Sequence, residues 1–257
     1  MRADQLLVEH GLAASRAQAQ RLIAAGTEWQ GADGAWRRVG KNGEDLHAGV
    51  ALRLLDDAER RYVSRGGLKL EGALQTSGVT VAQRRCLDVG QSTGGFTDAL
   101  LQAGAALVLG VDVGHGQLHP RLRADPRVRV IEGVNARTPN AIQTEANLLD
   151  PTLAAAGFDL IVADLSFISL TLVLAPLVSM LSPHGDLLAL VKPQFELQPG
   201  DIGKGGIVRD ERLYLQVEQR LREACRAAGL RVCAWLDSPI RGGDGNREFF
   251  IHARRAS

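Results

Sequence analysis

Aromatic residues are scarce: Phe, Trp and Tyr together make up 4% of the 257 residues, so the core of this chain has to be aliphatic. Cysteine is scarcer still. Cys86, Cys225 and Cys233 form no C-x-x-C pair, which excludes a disulfide framework and a zinc site and fits reduced thiols in the cytoplasm. Long apolar runs are missing as well. The stretch from Leu170 to Val178 is among the longest and contains Pro176, far short of the ~20 residues that span a bilayer. The opening Met1-Arg2-Ala3-Asp4-Gln5 has no apolar signal core, so neither export by that route nor a membrane partner is expected. Formal net charge is only +1. A nucleic-acid function would have to rest on where the charges sit, not on their sum.

What the chain does have is glycine at the ends of apolar runs. Arg85 to Val89 reads as a buried strand that breaks at Gly90; Gly94 and Gly95 follow, and Phe96, Ala99, Leu100 and Ala103 then recur at helical spacing. A strand, a glycine turn and a helix opening place backbone N–H groups against a bound cofactor. The spacing Asp88-Val89-Gly90-Gln91-Ser92-Thr93-Gly94-Gly95-Phe96 is not the G-x-G-x-x-G of nicotinamide enzymes. It resembles the first motif of S-adenosylmethionine-dependent methyltransferases. Alone, such a turn is also compatible with no ligand at all, but a second apolar run, Ala106 to Val111, ends in Asp112-Val113-Gly114. An acidic residue about 20 residues on is where a cofactor's ribose hydroxyls are gripped.

From Arg84 onward, strands are expected at 86–89, 107–112, 127–131, 158–163, 186–191, 231–236 and 247–253. Helices are expected near 95–103, 115–124, 169–181 and 210–228. That alternation predicts an α/β fold, a Rossmann-like, mostly parallel sheet with helices on both faces. Residues 138–157 read as an irregular or helical insertion. In front of this lies a compact α+β unit of about 55 residues: two short amphipathic helices, with Ser15 as a cap for the second, and then glycine-broken strands. The expected division is 1–56, a linker over 57–63, and 64–257.

Chemistry-bearing residues gather at strand ends. Asp164 follows the apolar run ending at Ala163, and Lys192 follows the run ending at Val191. Ligands in open α/β sheets sit beyond the carboxyl ends of the strands, so both belong at the cleft. If the last strand runs antiparallel, Glu248 at its start reaches the same edge. A lysine between carboxylates is most simply a structural ion pair, Lys192 with Asp164. Lys69, after Gly66-Gly67, adds a second cation. Two lysines and two acids can hold one amine poised as a base while the acids orient both.

The segment from Arg2 to Gly26 resembles the S-four-type RNA-binding domain, which implies that Ser15, Arg16, Gln20 and Arg21 contact RNA. Thr27-Glu28-Trp29-Gln30-Gly31 stands where that family has Val-x-Val-Asn-Gly. Nine basic and nine acidic residues among positions 1–61 leave the unit without net charge. From Tyr62 onward the chain resembles the TlyA family, related to FtsJ-type ribose methyltransferases. The motifs are Ser64-Arg65-Gly66-Gly67-Leu68-Lys69-Leu70, Ser92-Thr93-Gly94-Gly95-Phe96-Thr97, Asp112-Val113-Gly114, Asp164-Leu165-Ser166-Phe167-Ile168-Ser169, Val191-Lys192-Pro193-Gln194-Phe195-Glu196 and Gly203-Lys204-Gly205-Gly206-Ile207-Val208. The resemblance implies a Lys69–Asp164–Lys192–Glu248 catalytic tetrad and 2′-O-methylation of cytidine ribose in ribosomal RNA with S-adenosylmethionine, whose sulfonium methyl needs no metal. It implies cofactor contacts from Gly90, Gln91, Ser92, Gly94, Gly95, Phe96, Asp112, Val113, Asn135, Asp164 and Leu165, and an RNA contact from Arg65. The chain ends soon after its last strand, as in the shorter family form acting on the large subunit. Gln91 stands where the family has a small residue against the cofactor, and His115 where it has an aromatic one. Some relatives carry the label haemolysin, but no strongly amphipathic cationic helix supports lysis.

Overall fold

The structure, a computed structural model, describes residues 1–55, 61–149 and 157–256. The chain divides into two compact units, Met1–Arg65 and Gly66–Ser257; residues 57–60 of the expected linker lie outside the described residues.

In the first unit, helices α1 (Ala3–Glu9) and α2 (Arg16–Gly26) pack through Leu6, Leu7, Ala19 and Leu22, all fully buried. Ser15 caps α2 by accepting the Gln18 N–H at 3.2 Å, the role its extended backbone suits it for. A three-stranded antiparallel sheet comes next: β1 (Thr27–Gln30) lies between β2 (Trp36–Arg38) and β3 (Leu52–Leu54). The segment that departs from the S-four-type pattern is thus the central strand. Asp4 is completely buried and accepts hydrogen bonds from Arg2, Arg16 and Gln20. Chiefly the Arg2 contact, against the cost of burial, holds its carboxyl well below the usual range.

The second unit opens with α3 (Gly66–Ser77) and builds a seven-stranded sheet. In chain order come β4 (Arg85–Val89), α4 (Gly95–Gln102), β5 (Leu107–Asp112), α5 (Pro120–Arg123), β6 (Val128–Glu132), α6 (Pro139–Leu149), β7 (Phe158–Ala163), α7 (Leu174–Met180), β8 (Leu181–Val191), α8 (Glu211–Ala227), β9 (Leu230–Asp237) and β10 (Phe249–Arg255). The spatial order is β6-β5-β4-β7-β8-β10-β9, parallel from β6 to β8 and antiparallel where β10 joins β8 and β9. Chain order reverses between β4 and β7, and that reversal opens the crevice where α/β sheets bind ligands. Leu87, Leu109, Ile161 and Ala189 are fully buried members of the aliphatic core.

Several expected boundaries move. The helix expected over 115–124 is only Pro120–Arg123: Gly116 lies in the left-handed region, and His119 Nδ1 accepts the Arg121 N–H just ahead of a proline start. The helix expected at 169–181 is a 3-10 turn, Leu170–Leu172, followed by α7. β8 starts at Leu181, with a register shift against β7 before Asp186. The last strand starts at Phe249, so Glu248 precedes it. Within 138–157 the chain forms α6, whose Ile142 and Ala146 are buried in the core; residues 150–156 lie outside the described residues.

Register between β8 and β10 decides which residues reach the ligand-binding edge of the sheet. Phe249 pairs with Val191 at one end, and Arg254 pairs with Asp186 at the other. Asp186 is fully buried and takes hydrogen bonds from His252 at 2.6 Å, Arg254 at 2.6 Å and Arg84 at 2.7 Å. Burial opposes its ionisation, yet those three donors hold its carboxyl well below the usual range. Its stabilisation is therefore present at neutral pH and lost as pH falls through the acid range. Asp186→Ala would strand three donors around an empty site. Partner exposure puts the expected loss at the low end for a broken buried pair, about 3 kcal/mol, read as a drop in urea midpoint; a change within about 0.5 kcal/mol, the ordinary size of a surface substitution, would remove Asp186 as the register clamp.

Candidate active site

Gly90, directly after β4, has φ +84°. A Cβ there would fall 2.4 Å from the Asp164 carbonyl oxygen, so only glycine lets this loop close on the end of β7. The N–H groups of Gly90 and Gln91 donate to Val111 O, which ties the loop to β5. Ser92 sits in the left-handed region at φ +47° and is held there from the next strand end. Asp112 accepts the Ser92 N–H on one carboxylate oxygen and the Gly114 N–H on the other, each at 2.7 Å.

Between these elements lies a cleft of about 340 Å³. Gly90, Ser92, Asp112, Val113, Asp164 and Leu165 line it, among the residues the sequence singled out; Val89, Val111, Gln117, Val134, Ala136, Ser166 and Phe167 complete it. Two apolar side chains stand open to solvent at its wall, Val113 at 64% and Phe167 at 91% exposure. Uncovered apolar surface beside a carboxylate is the pattern of a slot for a flat apolar ring joined to a diol. An adenosine fits it: Asp112 keeps lone pairs for ribose hydroxyls, and Val113 offers a face for the base. S-adenosylmethionine therefore suits the residues present.

Other expected cofactor residues are placed elsewhere. The Gln91 side chain is buried, donates to Thr97 Oγ1 at 2.8 Å and lies over Gly110, where a Cβ would come within 1.9 Å of its amide. Gln91 therefore turns into the sheet and away from the cleft, because Gly110 in β5 leaves the space for it. Gly94, at φ +95°, packs under Leu122 and Leu118. Gly95 is buried in the first turn of α4, and Phe96 stacks on Phe250 with ring centroids 6.0 Å apart. Asn135 is exposed, and its carboxamide oxygen accepts the Arg137 N–H. None of these residues lines the cleft.

At the cleft's edge the four charged residues form two ion pairs. Lys192 Nζ lies 2.7 Å from Asp164 and donates to Ser166 Oγ at 2.8 Å. Lys69 Nζ lies 2.6 Å from Glu248, and both side chains are buried. Burial pushes the Glu248 carboxyl above its ordinary value, opposed by Lys69 and then by Lys192. So the field of one pair reaches the other. Gly242 allows the β9–β10 loop to close on Glu248: a Cβ would stand 2.7 Å from Glu248 Oε1.

Sequence reasoning did not single out Ser166, Phe167 or Asp88. Phe167 is left-handed at φ +63° and leans on Phe195, centroids 5.0 Å apart; its place in the motif after Asp164 was the only signal. Asp88 had one, a carboxylate inside an otherwise apolar strand. It is fully buried, accepts Thr97 Oγ1–H at 2.6 Å, and its other oxygen has no partner among the described residues. Of the expected RNA contacts, Ser15 is engaged as a cap, and Arg16 and Gln20 converge on Asp4. Arg21 donates to Ala17 O along its own helix, and Arg65, the last residue of the first unit, is partly exposed.

The comparisons agree with this geometry. Residues 62–255 match the model for the FtsJ-like methyltransferase family. The chain is 44% identical over 255 residues to the 16S/23S rRNA (cytidine-2′-O)-methyltransferase TlyA of Mycobacterium tuberculosis, covering 98% of this chain and 89% of that protein. It is 33% identical over 214 residues to the 23S rRNA (cytidine-2′-O)-methyltransferase TlyA of Campylobacter jejuni, covering 82% and 78%. Among solved structures, one from Streptococcus thermophilus, provisionally described as a hemolysin, aligns over 100% of this chain and 89% of that one at 39% identity and TM-score 0.73.

Burial pushes the Asp88 carboxyl from 3.8 up to about 7, against the Thr97 hydrogen bond. The folded chain thus holds a proton that the unfolded chain has lost between those values. Stability at this group is full at low pH and declines as pH rises from about 4 to about 7. Asp88→Asn abolishes the titration. Relative to that variant, wild type should lose up to about 1.4 kcal/mol per pH unit in that window, measured by urea unfolding. A difference that stays flat with pH would mean Asp88 is ionised throughout.

Proposed function

The chain belongs to the family of FtsJ-like methyltransferases, and from that membership we propose that it methylates the 2′-hydroxyl of a cytidine ribose in ribosomal RNA, using S-adenosylmethionine. The large subunit is the favoured target, since 23S appears in the names of both the mycobacterial and the Campylobacter relatives; the work then belongs in the cytoplasm, with ribosomes. The carrying observation is the pair of ion pairs, Lys192–Asp164 and Lys69–Glu248, at the mouth of a cleft that suits an adenosine.

When bound, S-adenosylmethionine supplies an activated methyl group. Gly90, Ser92, Asp112, Val113 and Leu165 would hold it, with Asp112 on the ribose. The remaining work is to place the 2′-oxygen in line and remove its proton. Lys192 is the proton acceptor in this reading. Asp164 and Ser166 engage two of the three directions around its Nζ, leaving the third for the hydroxyl. Lys69, fixed by Glu248, positions the ribose. Ser15, Arg16, Gln20, Arg21 and Arg65 are proposed as RNA contacts, with Arg16 and Gln20 prearranged by Asp4.

The hemolysin description of one relative suggests membrane lysis as an alternative. Against it, no helix among the described residues is long and apolar enough to cross a membrane. The amphipathic helix α8 also has its apolar side occupied, with Val217, Leu221 and Cys225 buried in the core.

The test is single-turnover transfer of labelled methyl to unmodified large subunits with saturating cofactor, followed by mapping of the modified ribose. Lys192→Ala and Lys192→Arg should both bind cofactor and RNA yet fall by roughly a hundred- to ten-thousand-fold, because arginine keeps the charge but cannot take the proton. Near-wild-type transfer by Lys192→Arg would make Lys192 an electrostatic clamp, and an unmethylated ribose with wild type would sink the proposed reaction.

A further inference from the structure

Each tetrad lysine is paired with a carboxylate, so the tetrad carries no net charge, and Asp112 adds a negative one to the cleft. An RNA strand brings one phosphate per nucleotide, and holding it takes cations that displace its counterions. Those cations must come from outside the tetrad.

One segment joined to the tetrad carries them. Residues Gly203 to Ile207 form a tight loop, closed by Gly203 N–H to Ile207 O at 3.0 Å and Gly206 N–H to Gly203 O at 3.1 Å. Gly205 and Gly206 have φ of +80° and +78°, and a Cβ at either would meet nothing within 4 Å. Lys204, exposed, is the only non-glycine among residues 203–206. Both it and Arg209, just beyond, are exposed and have no ion pair among the described residues.

The loop is fastened to the catalytic elements by Asn246, which is 1% exposed. Its carboxamide accepts the Val208 N–H at 2.9 Å and donates to Gly206 O at 2.9 Å and to Asp244 at 2.8 Å. Asp244 also takes the Gln194 side chain at 2.9 Å. Gln194 lies two residues after Lys192, and Asn246 two residues before Glu248. A buried amide with one accepted and two donated bonds fixes a loop in place.

We propose that Lys204 and Arg209 form a phosphate clamp, gripping the RNA backbone beside the reacting ribose on a loop that Asn246 locks to the tetrad. The proposal rests on the ribose-methylation reading and deepens it. Its glycines let a strand pass close to the loop, while the two cations supply charge that the neutral tetrad lacks.

The experiment uses the full chain, Lys204→Ala, Arg209→Ala and the double variant, with purified large ribosomal subunits that lack the modification. Binding is measured over a range of salt concentrations. Each substitution should lower the steepness of log affinity against log salt by about one and raise KM for subunits. S-adenosylhomocysteine affinity by calorimetry and kcat at saturating subunits should not change, and Lys204→Arg should restore the slope. Wild-type slopes and KM in the double variant would overturn the clamp, as would a loss of S-adenosylhomocysteine affinity. A wild-type protein that methylates nothing, with the variants still showing reduced slopes, would overturn the proposed reaction and leave the clamp standing.

Discussion

The antiparallel register of β10 against β8 is the constraint on which the site depends. With Phe249 opposite Val191, the residues just beyond that pair, Glu248 and Lys192, come to the same sheet edge from opposite chain directions. Parallel strands alone deliver only residues that follow their C-terminal ends. Asp164 and Lys192 arrive that way; Glu248 needs a reversed strand. A slip of one residue would turn Glu248 to the other face. Asp186, buried under His252, Arg254 and Arg84, holds the opposite end of the same strand pair, so a remote polar clamp and the active edge are two ends of one ladder.

Once Glu248 is there, the charges settle each other. Glu248 is buried and disfavoured as an anion by that burial, and Lys69 compensates it. Removing either member leaves a buried charge without its partner, which costs more than the pair contributes. The other pair differs in being partly open, with Ser166 as a third member. One pair is thus closed off from solvent, and the other, the proposed proton acceptor's, stays open to a substrate. The cleft is separate in origin: it comes from the chain reversal between β4 and β7, from Gly90 closing on Asp164, and from Asp112 holding Ser92 in its left-handed conformation.

Much of this was legible in the sequence because it came from period and punctuation. The βαβ alternation, the glycine turn after Val89 and the acid ending β5 are local signals, and each kept its place. The expectation that an antiparallel last strand would bring Glu248 to the edge holds, since β10 does pair antiparallel with β8. What could not be read was direction. Gln91, next to the cleft in sequence, turns into the sheet because Gly110 on another strand leaves room. Phe96 and Gly94 serve packing for similar reasons, with Phe250 and Leu122 as distant partners. Helix lengths failed where capping decided them, as at His119-Pro120. Arg16 and Gln20, expected to contact RNA, meet on Asp4, which no spacing rule announces.

The central claim is that Lys69 and Glu248 act as one unit, brought together by strand register, that positions the substrate for Lys192. A double-mutant cycle on single-turnover methyl transfer tests it most directly, with Lys69→Met, Glu248→Gln and the double variant compared at saturating cofactor. The account predicts strong non-additivity: each single variant loses about as much rate as the double, because either change dismantles the same pair. Independent losses that simply multiply in the double variant would contradict it.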